Sequence, residues 1–301
     1  MAHNHISHQK TYGKVFAIGI GLNVAYIAVE VIYGLSIDSS ALLADAGHNT
    51  SDVLSLIFAW FAMSVARKRP SRKYTFGLRR ATILVSILNA LLLFGAAGVI
   101  GWEAWHKLYD PVEVAGETVM LVAGIGIVIN TATALLFMKG QKVDLNIKGA
   151  FLHMAADAAV SAGVVISGLL IYQTGVMWID PATSLVILLV IVYSTWSLFT
   201  DSINLALDAV PEDIDLKEVE KYFDDHPAVK SIHDLHIWAM STTEKALSVH
   251  LVLKEHVDSD KFLKSIKDQL SERFDIEYST IQTEISHMND SLSEENREDQ
   301  S

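Results

Sequence analysis

Apolar residues run along this chain in six blocks, at roughly 15–35, 41–66, 80–105, 117–138, 147–172 and 179–202. Each approximates or exceeds the ~20 residues that a helix needs to cross hydrocarbon, so the blocks predict six membrane spans. After Pro211 the pattern changes. Residues 213–226 (DIDLKEVEKYFDDH) predict an amphipathic helix, 229–240 and 246–254 alternate like strands, 258–273 predicts another helix and 278–286 a last strand. That order, helix-strand-strand-helix-strand, predicts a small α+β domain of ferredoxin-like type. The tail from Asn289 (NDSLSEENREDQS) is polar and acidic, a composition expected to stay disordered. The expected fold is an all-α membrane domain of six transmembrane helices followed by a cytoplasmic α+β ferredoxin-like domain. The expected division is a histidine-containing N-terminal segment at 1–14, the helical domain at 15–208, the α+β domain at 209–288 and the acidic tail at 289–301.

Composition agrees with a membrane location. Of 301 residues 51% are hydrophobic and only 19% charged, less charge than a soluble surface of that size carries. The net charge of -12 argues against nucleic acid as a partner, because phosphate binding needs a clustered basic face. There are no cysteines, which excludes disulfides and thiolate metal sites. The segment Met1-Ala2-His3-Asn4-His5 does not begin a cleaved secretory signal, so the first apolar block is expected to act as an uncleaved anchor.

Loop charges predict the topology. Arg67, Lys68, Arg69, Arg72, Lys73, Arg79 and Arg80 lie between spans two and three, and Lys139, Lys142 and Lys148 between four and five. The remaining connections carry Asp38, then Asp110, Glu113 and Glu117, then Asp180. The positive-inside rule places both termini in the cytoplasm, an arrangement compatible with a bacterial inner membrane.

Charged groups inside these spans are costly, by ~2.5–3.5 kcal/mol each on insertion scales, and so mark function. Span two holds Asp45, His48 and Asp52, and span five holds His153 and Asp157. His48 and Asp52 are one helical turn apart, as are His153 and Asp157, so each pair shares a helix face. Two such helices facing each other would offer two imidazoles and two carboxylates, a tetrahedral set for Zn²⁺. One His-Asp pair alone is equally well a hydrogen-bonded packing device; a repeat of His-x-x-x-Asp in a second span is harder to explain that way. Asp45 is expected as an entry or supporting group. The empty site, with two carboxylates in low dielectric, attracts protons, whereas zinc requires unprotonated imidazoles. Metal and protons should therefore compete for one place.

The segments LLADAGHNTSD (42–52), KYTFGLRRATIL (73–84), HMAAD (153–157), IDPATSLVI (179–187), SIHDLHIWAM (231–240), LSVHLVL (247–253) and STIQTEI (279–285) resemble, in order, those of the cation diffusion facilitators, particularly their zinc-transporting branch. The resemblance covers nearly the whole chain. It implies a homodimer in the lipid bilayer that exports zinc, with cadmium or cobalt as possible alternatives, in exchange for protons. It also implies a transport site at His48, Asp52, His153 and Asp157. A cytoplasmic regulatory zinc site is implied at His233, His250 and Glu284. A further histidine of the family falls on Glu277 here, and His287 stands close enough in sequence to substitute. His236 is a competing candidate, although residues three apart on a strand are expected to point to opposite faces. The loop between spans two and three has no His, Asp or Glu, so the zinc site that some relatives carry there is not expected. His3, His5 and His8 are candidates to capture zinc or to complete the partner's cytoplasmic site.

Two other classes fit less well. A membrane metalloenzyme needs an open coordination position and a general base, whereas the four-ligand set fills the shell and no His-Glu-x-x-His occurs. A metal sensor with a mere membrane anchor leaves the paired intramembrane motifs unexplained. No enzymatic activity is expected. Glu30, Asn23, Asn89 and Asn130 are expected as interhelical bonding groups, Trp102, Trp105 and Trp178 as interfacial anchors, and Gly95, Gly98 and Gly101 as a close-approach face.

Overall fold

The computed structural model describes residues 3–36, 40–109, 117–176, 178–254 and 259–284. Within the helices, side chains including those of residues 3–12, 40–45, 47, 48 and 51 lie outside that description. The chain divides into two compact units, Met1–Ile203 and Asn204–Ser301.

The first unit is built from α1 (His3–Ser36), α2 (Ser40–Ala66), α3 (Ala81–Tyr109), α4 (Glu117–Phe137), α5 (Leu145–Thr174) and α6 (Ile179–Ala206). In hydrocarbon every backbone amide and carbonyl must find its partner within the segment, which helices achieve. Gly13–Tyr33, Ala81–His106 and Ser184–Ala206 are each long and apolar enough to cross a bilayer. The largest difference from the sequence expectation is at the start: α1 begins at His3, so residues 3–14 continue the first helix. Ile32, Phe61, Leu84, Leu189, Val190 and Tyr193 project outward, each more than 60% exposed, which gives the bundle an apolar exterior.

Inside, Phe16 of α1, Leu56, Ala59 and Met63 of α2, Ala134 and Phe137 of α4, and Ile147, Ala150 and Met154 of α5 form one core. Phe16 and Phe137 meet with ring centroids 4.9 Å apart. Asn23 of α1 donates to Met154 Sδ at 3.3 Å, the cross-helix bond expected of a buried amide. α6 joins through Leu198, packed on Ala90 and Leu93 of α3, and through a buried hydroxyl pair, Ser86 and Ser202, at 2.7 Å. Of the glycines expected at a close approach, Gly101 lies under Leu188, whereas Gly95 and Gly98 have open space beside them. A tighter contact is at Gly126 of α4, where an added Cβ would strike the Tyr26 ring and hydroxyl. Asp144 caps α5 by accepting from the Asn146 amide at 2.7 Å.

The second unit contains α7 (Leu216–Asp224), β1 (Val229–Ala239), β2 (Lys245–Leu253), α8 (Ser259–Phe274) and β3 (Tyr278–Glu284). α7 starts later than the sequence suggests because Asp215 acts as its N-cap, accepting from the Lys217 amide at 2.9 Å. The sheet order is β1-β2-β3, with β1 antiparallel and β3 parallel to β2. This is the αββαβ part of a ferredoxin-like fold. Val219 and Phe223 of α7 and Phe262, Ile266, Leu270 and Phe274 of α8 cover Ile237, Leu247, Val249 and Leu251 of the sheet. Burying a side chain such as Phe223 contributes ~1.5–3 kcal/mol.

β1 is irregular at two points, one between Val229 and Ser231 and one between His233 and His236, and the second bears on the histidines. There the register passes from His233↔His250 to His236↔Ser248, so three steps on β1 match two on β2. Asp234, inside this bulge, has φ 51°. The bulge corrects the expectation for His236: both His233 and His236 align with β2 residues of one face, the face opposite to Leu247, Val249 and Leu251.

Candidate metal centres

In the helical unit α2 and α5 pack against each other and bring Asp52 to His153, whose Nδ1 is 3.3 Å from Asp52 Oδ1. Both residues are almost fully buried, at 3% and 2% exposure. Asp157, one turn beyond His153 on α5, is 8% exposed. His153 Nε2 is buried and makes no hydrogen bond. A neutral ring that donates through Nδ1 keeps a lone pair on Nε2, the state a metal ligand needs. Among the described residues, no three ligand groups of this unit close within 4.8 Å of one another. His48 lies one turn before Asp52 in α2; its side chain and that of Asp45 are outside the described residues.

Beside this pair is a group that the sequence only half revealed. Glu30 of α1 is 0% exposed and accepts from Asn49 Nδ2 at 2.8 Å. Glu30 stands out in the sequence as a carboxylate in a span, but Asn49 does not, because one amide within a polar stretch carries no spacing signal. The contact ties α1 to the turn of α2 between residue 48 and Asp52. Trp102, Trp105 and Trp178 are all exposed, as interfacial anchors would be. His106 is also exposed, with Nδ1 2.9 Å from the Trp102 carbonyl oxygen.

The second unit holds a tighter cluster. Ligand atoms of His233, His250 and Glu284 all lie within 4.8 Å of one another. His233 Nε2 is 3.4 Å from Glu284 Oε2, and His250 Nδ1 is 3.3 Å from Glu284 Oε1. The second distance is short, yet its angle is not that of a hydrogen bond, and His250 Nδ1 is a buried nitrogen with no hydrogen-bond partner. A buried, unbonded imidazole nitrogen beside a carboxylate fits a divalent cation better than it fits an empty polar pocket. The strands explain the convergence: His233 is paired with His250 across β1–β2, and His250 with Gln282 across β2–β3. Glu284 follows two residues after Gln282 and accepts from its Nε2 at 3.0 Å. Sequence reasoning overlooked Gln282, whose place opposite His250 depends on the parallel register. Asp234 was overlooked too; its Oδ2 is 3.1 Å from His233 Nδ1 and 3.8 Å from His250 Nδ1.

Glu277 is exposed and lies just before β3, outside the cluster of three. His287 falls outside the described residues, as do the side chains of His3, His5 and His8. Elsewhere in this unit Lys245, buried at 7% exposure, is held by Asp213 at 2.5 Å and Asp275 at 3.4 Å. His226, next to the end of α7, is held below the usual imidazole range by burial, reinforced by the Lys254 charge. Its Nδ1 accepts from the Ala228 amide at 3.3 Å.

Two family models match the chain: the cation efflux transmembrane domain over residues 16–205, and the cation efflux protein cytoplasmic domain over residues 211–286. The metal cation efflux system protein CzcD of Cupriavidus metallidurans is 37% identical over 284 residues, covering 94% of this chain and 90% of that protein. The cadmium, cobalt and zinc/H(+)-K(+) antiporter of Bacillus subtilis is 33% identical over 289 residues, covering 94% and 92%. The zinc transporter ZitB of Escherichia coli is 32% identical over 308 residues, covering 97% and 98%. A solved metal-bound C-terminal domain of the CzcD transporter is 44% identical and matches 24% of this chain and 100% of that one, with a TM-score of 0.23.

Proposed function

The chain belongs to the cation efflux family, that of the cation diffusion facilitators, and on this premise we propose that it exports zinc across a membrane in exchange for protons, working as a homodimer. Cadmium and cobalt, named for the Bacillus subtilis relative, are the other candidate substrates. The observation that carries the reading is the buried Asp52–His153 contact between α2 and α5, with Asp157 one turn further on, inside a bundle whose exterior is apolar. His48 completes the proposed transport site from one turn earlier on α2.

The residues divide the work by chemistry. Two carboxylates offset the charge of a divalent cation, and imidazole nitrogens favour zinc over harder ions such as manganese. When the cation leaves, protons stabilise the same carboxylates and imidazoles, because an unneutralised pair of charges is costly in low dielectric. Exposure of one site alternately to each side then couples cation and proton movement in opposite directions. His233, His250 and Glu284 hold a cytoplasmic regulatory zinc. Both termini lie in the cytoplasm, on the side of the basic loops, and the membrane is a bacterial inner membrane.

The test is zinc flux in proteoliposomes with and without an imposed pH gradient. Wild-type flux should follow the gradient, and Asp157→Ala should abolish it while the protein still folds and inserts. Flux indifferent to the gradient would remove proton coupling; flux that survives Asp157→Ala would remove the site.

A further inference from the structure

The bulge in β1 has a chemical role. Asp234 occupies the left-handed region, φ 51°, which costs a residue with a Cβ ~1–2 kcal/mol and which Asp and Asn tolerate best. In that conformation its carboxylate lies on the histidine face, with Oδ2 3.1 Å from His233 Nδ1. The other nitrogen of the same ring, Nε2, is 3.4 Å from Glu284 Oε2. A neutral imidazole has one N–H to give, and the shorter contact is the one to Asp234. Donation there leaves the Nε2 lone pair against a carboxylate oxygen. His250 Nδ1, buried and without a hydrogen bond, approaches the other oxygen of the same carboxylate at 3.3 Å. With the His250 proton on its Nε2, two nitrogen lone pairs and the Glu284 carboxylate converge, an arrangement suited to a cation.

We propose that Asp234 is the positioning residue of the cytoplasmic site. It holds His233 in the Nδ1–H tautomer so that Nε2 faces the divalent cation shared with His250 and Glu284, and it adds the second negative charge that balances that cation. The inference rests on the reading of those three residues as a cation site. A carboxylate behind a ligating histidine fixes the ring and raises its basicity, and its loss typically weakens metal binding ~10–100-fold.

The experiment uses the full-length protein in detergent, carrying Asp52→Ala and Asp157→Ala so that only cytoplasmic zinc is titrated against a chelating indicator. Asp234→Gly accepts the positive φ without strain and removes only the carboxylate. It should leave the melting temperature unchanged and weaken zinc binding ~10–100-fold. NMR of labelled histidine should show that His233 has lost its Nδ1–H preference. Asp234→Asn, whose amide oxygen still accepts from Nδ1–H, should restore the tautomer and part of the affinity. Wild-type affinity in Asp234→Gly, or an unchanged His233 tautomer, overturns the assignment. His250→Ala separates the two levels: if it leaves zinc binding intact, the site itself is wrong; if it abolishes binding while Asp234→Gly does not, only the role of Asp234 falls.

Discussion

Asp52→Asn separates a metal ligand from a packing device. Asp52 is 3% exposed and lies 3.3 Å from His153 Nδ1. Asparagine keeps an oxygen that can accept from that N–H, so the substitution removes the charge and spares the hydrogen bond. A carboxylate in the middle of a span costs ~2.5–3.5 kcal/mol on insertion scales, and the amide lacks the charged part of that penalty. The metal-free variant should therefore melt no lower than the metal-free wild type. Zinc stabilises only the state that binds it, by ~2.7 kcal/mol at a concentration of ~100 Kd. At ~2–4 °C per kcal/mol, that is a rise of about 5–11 °C. If the lost ligand weakens binding ~100-fold, the same zinc concentration equals Kd and the gain falls to ~0.4 kcal/mol, a rise of about 1–2 °C. The assay is thermal unfolding in detergent, with zinc or with a chelator, in a His250→Ala background that silences the cytoplasmic site. A variant that keeps the full zinc shift refutes the ligand assignment. A metal-free variant that melts several degrees lower identifies Asp52 as a packing residue.

Gly126→Ala places a Cβ against the Tyr26 ring and hydroxyl, and overpacking of that kind costs ~1–3 kcal/mol. Thermal unfolding should show the loss, and pairing it with Tyr26→Leu should cost less than the two substitutions added together; additive losses would mean that α1 and α4 do not meet there. His226 predicts a pH effect. Its folded pKa lies below the ordinary value near 6.5, so the unfolded chain binds the proton first. Its contribution to stability is intact above about pH 7, falls as pH drops through ~6.5, and levels off below the depressed folded pKa. His226→Gln should flatten the stability–pH curve in that window, and an unchanged slope would show that another group is responsible.

Most of the fold was legible because each element carries a periodic signal. The apolar blocks marked α1–α6, and the alternation in 229–240 and 246–254 marked β1 and β2 within a residue at each end. The start of α1 was not legible, since polar residues such as His5 and Gln9 can extend a helix beyond its apolar part. One-turn spacing singled out Asp52 and His153 on their separate helices, and the family resemblance named His233, His250 and Glu284. That α2 and α5 bring the first two together is a matter of helix packing, which spacing does not give. What escaped depends on register rather than on residue type. Whether His236 shares a face with His233 is decided by one inserted residue, and a bulge leaves no mark in a hydrophobic pattern. Gln282 became a neighbour of His250 only once β3 was aligned parallel to β2.

The kink at Asp234 also affects solubility. β1 is an edge of the described sheet, and an edge strand exposes a row of amides and carbonyls that can template a strand from another molecule. A break in the even spacing of that row stops an incoming strand from extending its ladder past residue 234. Deleting one residue of the bulge would keep His233 opposite His250 and His236 opposite Ser248, but it would remove the left-handed turn at Asp234 and lengthen the evenly spaced stretch of edge that another strand could join.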